Sequence, residues 1–185
     1  MPIRMRYMDG SGATRPWTVK EWVQGKPIGH PSHPMFVHFP IAFYLAVIVF
    51  DVMTLIEPNR GLIQAGTYLL VMAVIATVIL LITGLIDWFG MIKGSRKRRK
   101  ASQHLWTQLA ASSFFIVVLI LRWLDRGLAE AEPLWLVLEA IGYVVIATGQ
   151  YLGGVLVYEM AMRVSTGGMA REPDERPAAV PPPRT

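Results

Sequence analysis

The sequence predicts an all-α integral membrane protein whose four spanning helices form a bundle. Three observations predict this class: 53% of the 185 residues are apolar, only 17% are charged, and the charges are concentrated in a few short segments. Soluble domains usually carry about 25% charged residues. The net charge of +5 is also typical of nucleic-acid-binding proteins, but that function requires a basic face on a soluble fold, so no nucleic-acid partner is expected.

Four apolar stretches are long enough to cross the hydrocarbon core of a bilayer, which takes about 20 helical residues. The predicted spans cover about 39–57, 61–88, 102–124 and 133–159. They form a membrane domain over 30–164, which follows a polar segment at 1–29 and precedes a proline-rich tail at 165–185 that is predicted to be disordered. Within the first segment, residues 16–24 favour a short helix on the membrane surface. No internal repeat is recognisable.

Lysine and arginine fall mostly on one side of the predicted bundle. The segment before the first span, the loop between the second and third spans, and the residues after the fourth span hold five, six and four of the 18 basic residues. Because basic residues near span ends stay in the cytoplasm, we predict a multi-pass protein of the bacterial inner membrane with both termini cytoplasmic. Interfacial tryptophans are then expected at Trp88 and Trp106 inside, and at Trp123 and Trp135 outside.

Two carboxylates lie within the spans near the predicted outer side. Asp51 interrupts the first span and Glu139 the fourth. Ionisable residues in spans usually have a partner, so both are expected to pair with Arg60 or Arg122 as structural ties.

All four histidines lie on the predicted inner side of the membrane. The chain contains no cysteine that could bind a metal or haem. His30, His33 and His38 lead into the first span, and His104 opens the third. Any metal or haem must therefore be bound through His, Met or carboxylate. Pro40 lacks an N–H in the first turns of its span and predicts a kink near His38.

Polar residues at the ends of the other spans are expected at the same level as His38 and His104. Asp87 ends the second span and Tyr158 ends the fourth, so the four helices are predicted to bring these side chains together in the bundle interior. Gly84, Gly153 and Gly154 would leave room there for a flat cofactor.

Two cofactor chemistries fit these residues. A b-type haem would take His38 or His33 opposite His104 as axial ligands, with the basic residues 96–100 beside its propionates. Zinc or another divalent ion would instead be held by three or four residues drawn from the histidines and Asp87, unless Asp87 only orients an imidazole. In a third interpretation no cofactor is bound, the His-Pro pairs cap the first helix, and His104 lies among lipid headgroups.

The motifs, taken in order, resemble the bacterial four-span family called domain of unknown function 2231. They are HPSHPMFVHFPI at 30–41 with Phe50-Asp51, GLIDW at 84–88, His104, and LGGVLVY at 152–158. The resemblance covers about 30–164 and implies an inner-membrane four-helix bundle. Relatives joined to Rieske-type or c-type cytochrome domains imply a place in electron transfer. At Glu159-Met160 the chain departs from the family, which often has a basic residue and a glycine there.

We therefore predict an inner-membrane, redox-associated protein that binds haem b and serves electron transfer, with the bilayer and other membrane redox subunits as partners. Two alternatives remain: a cofactor-free accessory subunit of a larger respiratory or photosynthetic complex, and a divalent-metal-binding membrane protein. The sequence shows no Ser/His/Asp or Cys/His set and no phosphate-binding glycine loop, so we do not expect an enzyme in its own right.

Overall fold

The computed structural model of the chain describes residues 6–8, 14–28, 30–125 and 127–162. It begins with two short antiparallel strands, β1 (Arg6–Met8) and β2 (Thr14–Pro16). Helix α1 (Val19–Val23) and a 3₁₀ turn (Lys26–Ile28) follow. The tail predicted to be disordered, 165–185, lies outside the described residues.

Four apolar helical segments make up the rest of the described chain. The first is α2 (Ser32–Phe36) with α3 (His38–Ile56), and the others are α4 (Arg60–Phe89), α5 (Arg96–Leu124) and α6 (Pro133–Gly154), which a π-helical turn, Val155–Glu159, extends. Each segment is long and apolar enough to cross a membrane. The predicted four-span, all-α class is therefore confirmed.

The first segment is broken at Val37, between α2 and α3. Pro40 has no N–H to donate to the carbonyl of Phe36, so a continuous helix would lose a backbone hydrogen bond there. The break lies next to His38, where the sequence predicts a kink.

Helix α5 begins at Arg96, six residues before the predicted start of its span. Residues 96–100 therefore continue a helix instead of forming a loop. Gly94 has a φ of +81°, which suits glycine, and the Ser95 hydroxyl caps the helix by accepting from the Arg98 N–H at 3.1 Å. The Arg98 guanidinium then lies 4.0 Å from the ring centroid of Trp88, which ties α5 to α4.

Two helical hairpins, α3–α4 and α5–α6, bury residues at equivalent positions. A shift of 71 residues takes four buried residues of α3 onto buried residues of α5, and a shift of 69 does the same from α4 to α6. The pairs are Pro40/Ala111, Tyr44/Phe115, Val47/Val118 and Asp51/Arg122, and Gly66/Trp135, Leu70/Glu139, Ala73/Gly142 and Leu80/Gly149.

Equivalent residues of the two hairpins also contact each other. The ring of Tyr44 stacks on that of Phe115 with centroids 4.0 Å apart, and Asp51 forms an ion pair with Arg122. A two-fold axis brings equivalent residues together in this way. The bundle is thus an internal repeat of two hairpins. The sequence does not reveal it because most equivalent positions carry different residue types.

The end of the bundle near Asp51 is closed by the loop between α5 and α6. The Asn59 N–H donates to the Ala129 carbonyl at 2.7 Å, and the Ala131 N–H donates to the Thr54 hydroxyl at 3.0 Å. Trp135, expected at the outer interface, is 1% exposed and lies in the core instead. Large apolar side chains cover the outside of the helices, as a bilayer requires: Val49, Met72, Ile75, Ile79, Val117, Ile120, Val137 and Val144 are all exposed.

Candidate functional site

A cavity of about 150 Å³ lies between the two hairpins, at the end opposite Asp51. All four apolar segments contribute to its wall. His33 enters from α2, Gly84 from α4, His104 from α5 and Gly153 from α6, and most of the remaining lining is apolar. Small and aliphatic side chains therefore surround two imidazoles.

The two histidines of the cavity make the same type of hydrogen bond. His33 Nδ1 lies 3.1 Å from the Leu80 carbonyl oxygen and 3.0 Å from the Thr83 hydroxyl, and His104 Nδ1 lies 2.7 Å from the Gly149 carbonyl oxygen. A carbonyl oxygen only accepts, so Nδ1 carries the hydrogen in both rings. In the neutral ring Nε2 then keeps its lone pair, and neither Nε2 has a hydrogen-bond partner among the described residues.

Each imidazole also lies against a glycine four residues beyond the carbonyl that it contacts. A Cβ on Gly84 would come within 3.1 Å of His33 Cε1, and a Cβ on Gly153 would come within 3.1 Å of His104 Cε1. The histidines are related by the shift of 71 and the glycines by the shift of 69. The two-fold relation of the hairpins therefore extends to this site, with one histidine on each side of the axis.

A second, polar cavity of about 460 Å³ adjoins the first at Asp87, Met91 and Met162. Its basic lining residues are Lys20, Lys26 and Lys97, and we call it the lysine vestibule. Asp87 lies at the junction, where Gln24 Nε2 donates to its Oδ1 at 3.0 Å. That bond ties the N-terminal segment to the end of α4.

The N-terminal segment beside the vestibule is organised around Glu21. Arg15 donates to both of its carboxylate oxygens, at 3.0 and 2.9 Å, and Lys26 Nζ lies 3.6 Å away. Thr18 and Glu21 also form a capping box for α1. The hydrogen bonds from Arg15, together with those from Thr18, lower the pKa of the Glu21 carboxyl to about 2.

The structure brings together only part of the set predicted from the sequence. Among those residues, the ones that line the cavity are His33, Asp87, Gly84, His104 and Gly153. The side chains that do not reach it are those of His30 and His38, which are exposed, and Tyr158, which is 89% exposed; Gly154 has only the Tyr158 ring near it, at 3.8 Å. The two histidines are five residues apart, about 140° around a helix, and therefore face different sides. His33 belongs to α2, which contacts α4, whereas His38 is exposed at the start of α3.

Within the described part of the chain, no group of three or more His, Cys, Asp or Glu side chains is placed to hold a metal ion. Among the described residues, the imidazoles that face the cavity are those of His33 and His104. The predicted cluster of three or four protein ligands is therefore not formed by the described residues.

Two parts of the site could not be read from the sequence. The carbonyls of Leu80 and Gly149 orient the imidazoles but carry no signature of their own, although Thr83, one turn before Asp87, marks the right helix face. The vestibule residue Lys20 comes from a segment that the sequence predicts only as a surface helix, and Lys26 comes from the turn that follows it.

A family model described as predicted membrane protein (DUF2231) matches residues 29–166. This range includes all four apolar segments, both cavity histidines and both cavity glycines. No curated protein and no solved structure matches the sequence. The chain therefore belongs to the predicted membrane protein family DUF2231.

Proposed function

We propose that this protein binds a b-type haem between His33 and His104 and serves electron transfer in the bacterial inner membrane. The proposal is supported chiefly by the state of the two imidazoles. In each ring Nδ1 is fixed by a helix carbonyl, and Nε2 has no hydrogen-bond partner among the described residues. Histidines that ligate a metal usually donate their other ring N–H to a carbonyl or carboxylate, which fixes the tautomer and the ring orientation.

The number of available ligands favours haem over a bare divalent ion. Structural zinc sites take four protein ligands and catalytic zinc sites take three. A haem iron already has four porphyrin nitrogens and needs at most two ligands from the protein. The two histidines that face the cavity are enough for a haem but too few for a zinc site.

The shape and charge of the space also suit an amphipathic macrocycle. The apolar cavity and the lysine vestibule adjoin, and their volumes of about 150 and 460 Å³ together fall within the range of about 300–1,000 Å³ usual for ligand sites. The vestibule would place Lys20, Lys26 and Lys97 near the propionates. Lys97 belongs to the basic residues 96–100 to which the sequence assigns this role.

The residues of the chain then have distinct tasks. Leu80 and Gly149 hold the imidazoles through their carbonyls, and Gly84 and Gly153 let the rings approach the neighbouring helices closely. The aliphatic walls exclude water. Held by His33 and His104, a haem would supply one-electron transfer.

Charge placement supports the orientation. The vestibule lysines and the helical residues 96–100 lie at the same end of the bundle as the N-terminal segment. Basic residues are retained on the cytoplasmic side, so we propose that this end faces the cytoplasm.

The test is the absorption spectrum of the full chain purified in detergent from haem-sufficient cells. We expect a Soret band that shifts on reduction, and we expect His33→Ala and His104→Ala each to abolish it or to change it to that of a five-coordinate haem. His38→Ala is the matched control and keeps the wild-type spectrum, because that side chain is exposed. Colourless wild-type protein, or an unchanged spectrum in both cavity variants, would overturn the proposal.

A second pair of variants tests the geometry of the site. Gly153→Val crowds the His104 ring and should lower haem occupancy, whereas Gly154→Val at the next position meets nothing closer than 3.8 Å and should not. Colourless protein that carries zinc by elemental analysis would point to the divalent-ion alternative. Colourless, metal-free protein that co-purifies with a larger complex would point to the accessory-subunit alternative.

A further inference from the structure

A second buried polar cluster lies at the opposite end of the bundle, formed by Asp51 of α3, Arg122 of α5 and Glu139 of α6. All three side chains are fully removed from solvent. Arg122 Nη2 donates to Asp51 Oδ2 and, at 3.2 Å, to Glu139 Oε1. We call these three residues the charge triad. The sequence predicts Arg60 or Arg122 as the partner of the two carboxylates, and the structure selects Arg122.

The triad is built into the core. The guanidinium carbon lies 4.7 Å from the centroid of the Trp135 ring. A Cβ added to Gly66 would lie 3.5 Å from both Arg122 Nη1 and Asp51 Oδ1, so α4 leaves just enough room for the cluster. The Asp51 and Arg122 positions are equivalent in the two hairpins, so the triad lies on the same axis as the histidine pair.

The charges of the triad do not balance. Two carboxylates face one guanidinium, which leaves one excess negative charge in the interior of the membrane domain. Helix α4 contributes no charge to the triad. Its polar contacts are two acceptors of Arg122 Nη1, the Ile63 carbonyl at 3.4 Å and the Thr67 hydroxyl at 3.5 Å.

Among the described residues of the adjoining loops, no charged group provides the missing positive charge. Arg60 is exposed and donates to the Gly127 carbonyl at 2.7 Å, and Asp125 and Glu132 are exposed acids.

Two oxygens of the triad confirm the imbalance. Asp51 Oδ1 and Glu139 Oε2 are buried and have no hydrogen-bond partner among the described residues, and the same holds for Arg122 Nε. An unpaired buried charge costs several kcal/mol, and such groups usually become neutral instead. A hydrogen atom on one of these carboxyls would remove the excess negative charge.

We propose that Asp51 and Glu139 together bind one proton, so that the triad is a neutral proton site inside the membrane domain. One proton taken from water changes the charge of the cluster from −1 to 0, and no other bond forms or breaks. A metal cation is the less suitable ligand, because it would lie against the Arg122 guanidinium and would need a coordination shell for which the core has no space.

This site is separate from the proposed haem site. Asp51 lies 18 residues after His33, which corresponds to about 27 Å along a helix. A proton bound at that depth is exchanged with one side of the membrane only when the core opens. The triad therefore equips this fold to take up or release a proton at the end of the bundle remote from the histidines.

The experiment is infrared spectroscopy of the full chain in lipid nanodiscs at neutral pH, read in the carbonyl-stretch region of protonated carboxylic acids. We expect a band from one buried acid per chain that shifts on deuteration, and we expect Glu139→Gln and Asp51→Asn each to remove it. Asp87→Asn is the matched control and keeps the band. Circular dichroism establishes that each variant retains its helices.

Labelling with ¹³C-carboxyl aspartate or glutamate decides the matter even if both variants fail to fold, because the band of the wild-type chain must then shift with one of the two labels. Absence of the band from the wild type, its survival in both variants, or its loss on adding sodium ions would overturn the proposal, the last by assigning the site to a cation.

Discussion

Removing the guanidinium of the charge triad should destabilise the protein far more than removing an exposed arginine. In Arg122→Met the aliphatic part of the side chain is kept, but both buried carboxylates lose the one cation that contacts them among the described residues. Breaking a buried ion pair by removing one partner costs about 3–5 kcal/mol, because an uncompensated charge stays behind. The contact of Arg122 with the Trp135 ring adds about 1–2 kcal/mol to the loss.

The same reasoning predicts that the loss can be reversed. The triple variant Arg122→Met, Asp51→Asn, Glu139→Gln contains no charge, so most of the destabilisation should disappear, since neutral replacement of a buried ion pair is often tolerated. Arg60→Met is the matched control. That guanidinium is exposed and donates to one carbonyl, so its loss should change the free energy of unfolding by less than about 0.5 kcal/mol.

The assay is denaturation of the purified chain in bicelles by increasing mole fractions of sodium dodecyl sulfate, followed by circular dichroism. The order of stability expected is wild type and Arg60→Met, then the triple variant, then Arg122→Met. If Arg122→Met unfolded with the wild-type midpoint, or if the triple variant were no more stable than the single one, the buried charge imbalance would not control the stability of this end of the bundle.

Three further predictions follow from the fold. Because the chain has no cysteine, single cysteines at Glu130 and Lys93 report orientation, and a membrane-impermeant maleimide applied to spheroplasts should label only the first; labelling of Lys93→Cys instead would reverse the topology. Gly142→Ala should cost about 1–3 kcal/mol, measured by the same denaturation, because its Cβ would come within 2.9 Å of Phe115 Cε2. The folded pKa of Glu21, about 2, lies below the usual glutamate value of 4.5, so its stabilisation of the N-terminal segment is fully present above pH 4.5 and is lost as pH falls through 2. Limited proteolysis with pepsin should show this loss in the wild type and not in Glu21→Gln.

The spans are predictable from the sequence because the bilayer imposes a simple rule on composition and length. Each helix of the bundle presents exposed aliphatic residues such as Ile75 and Val144 to lipid, so the apolar runs are continuous and easily recognised. Helix ends are less certain. The charges of residues 96–100 predict a loop, yet Ser95 caps a helix that already includes them, since basic side chains are good helix formers once the backbone is capped.

The candidate site is only half predictable, because rotation about a helix axis depends on packing and not on hydropathy. His33 and His38 are five residues apart, about 140° around a helix, so hydropathy places them in the same stretch but does not tell which of them faces α4. Tyr158 likewise lies at the expected level but points outward from the π-helical turn. Trp135 is a residue type typical of membrane interfaces, but here it is buried against the guanidinium of Arg122. The sequence alone leaves open whether Arg60 or Arg122 is the buried cation.

Equivalent residues of the two hairpins are unlike at one end of the two-fold axis and identical at the other, and physical chemistry explains the difference. Two like charges in contact on the axis would repel each other inside a membrane, and the pair found there, Asp51 and Arg122, is of opposite charge. At the other end the equivalent residues are identical: His33 and His104 both donate Nδ1–H to equivalent carbonyls and both lie against equivalent glycines. Each histidine makes these contacts within its own hairpin, so the contacts of one do not require a histidine at the other position. Identical residues on both sides of the axis are instead what the proposed haem would require, because a ligand held by His33 and His104 would take the same bond from each hairpin.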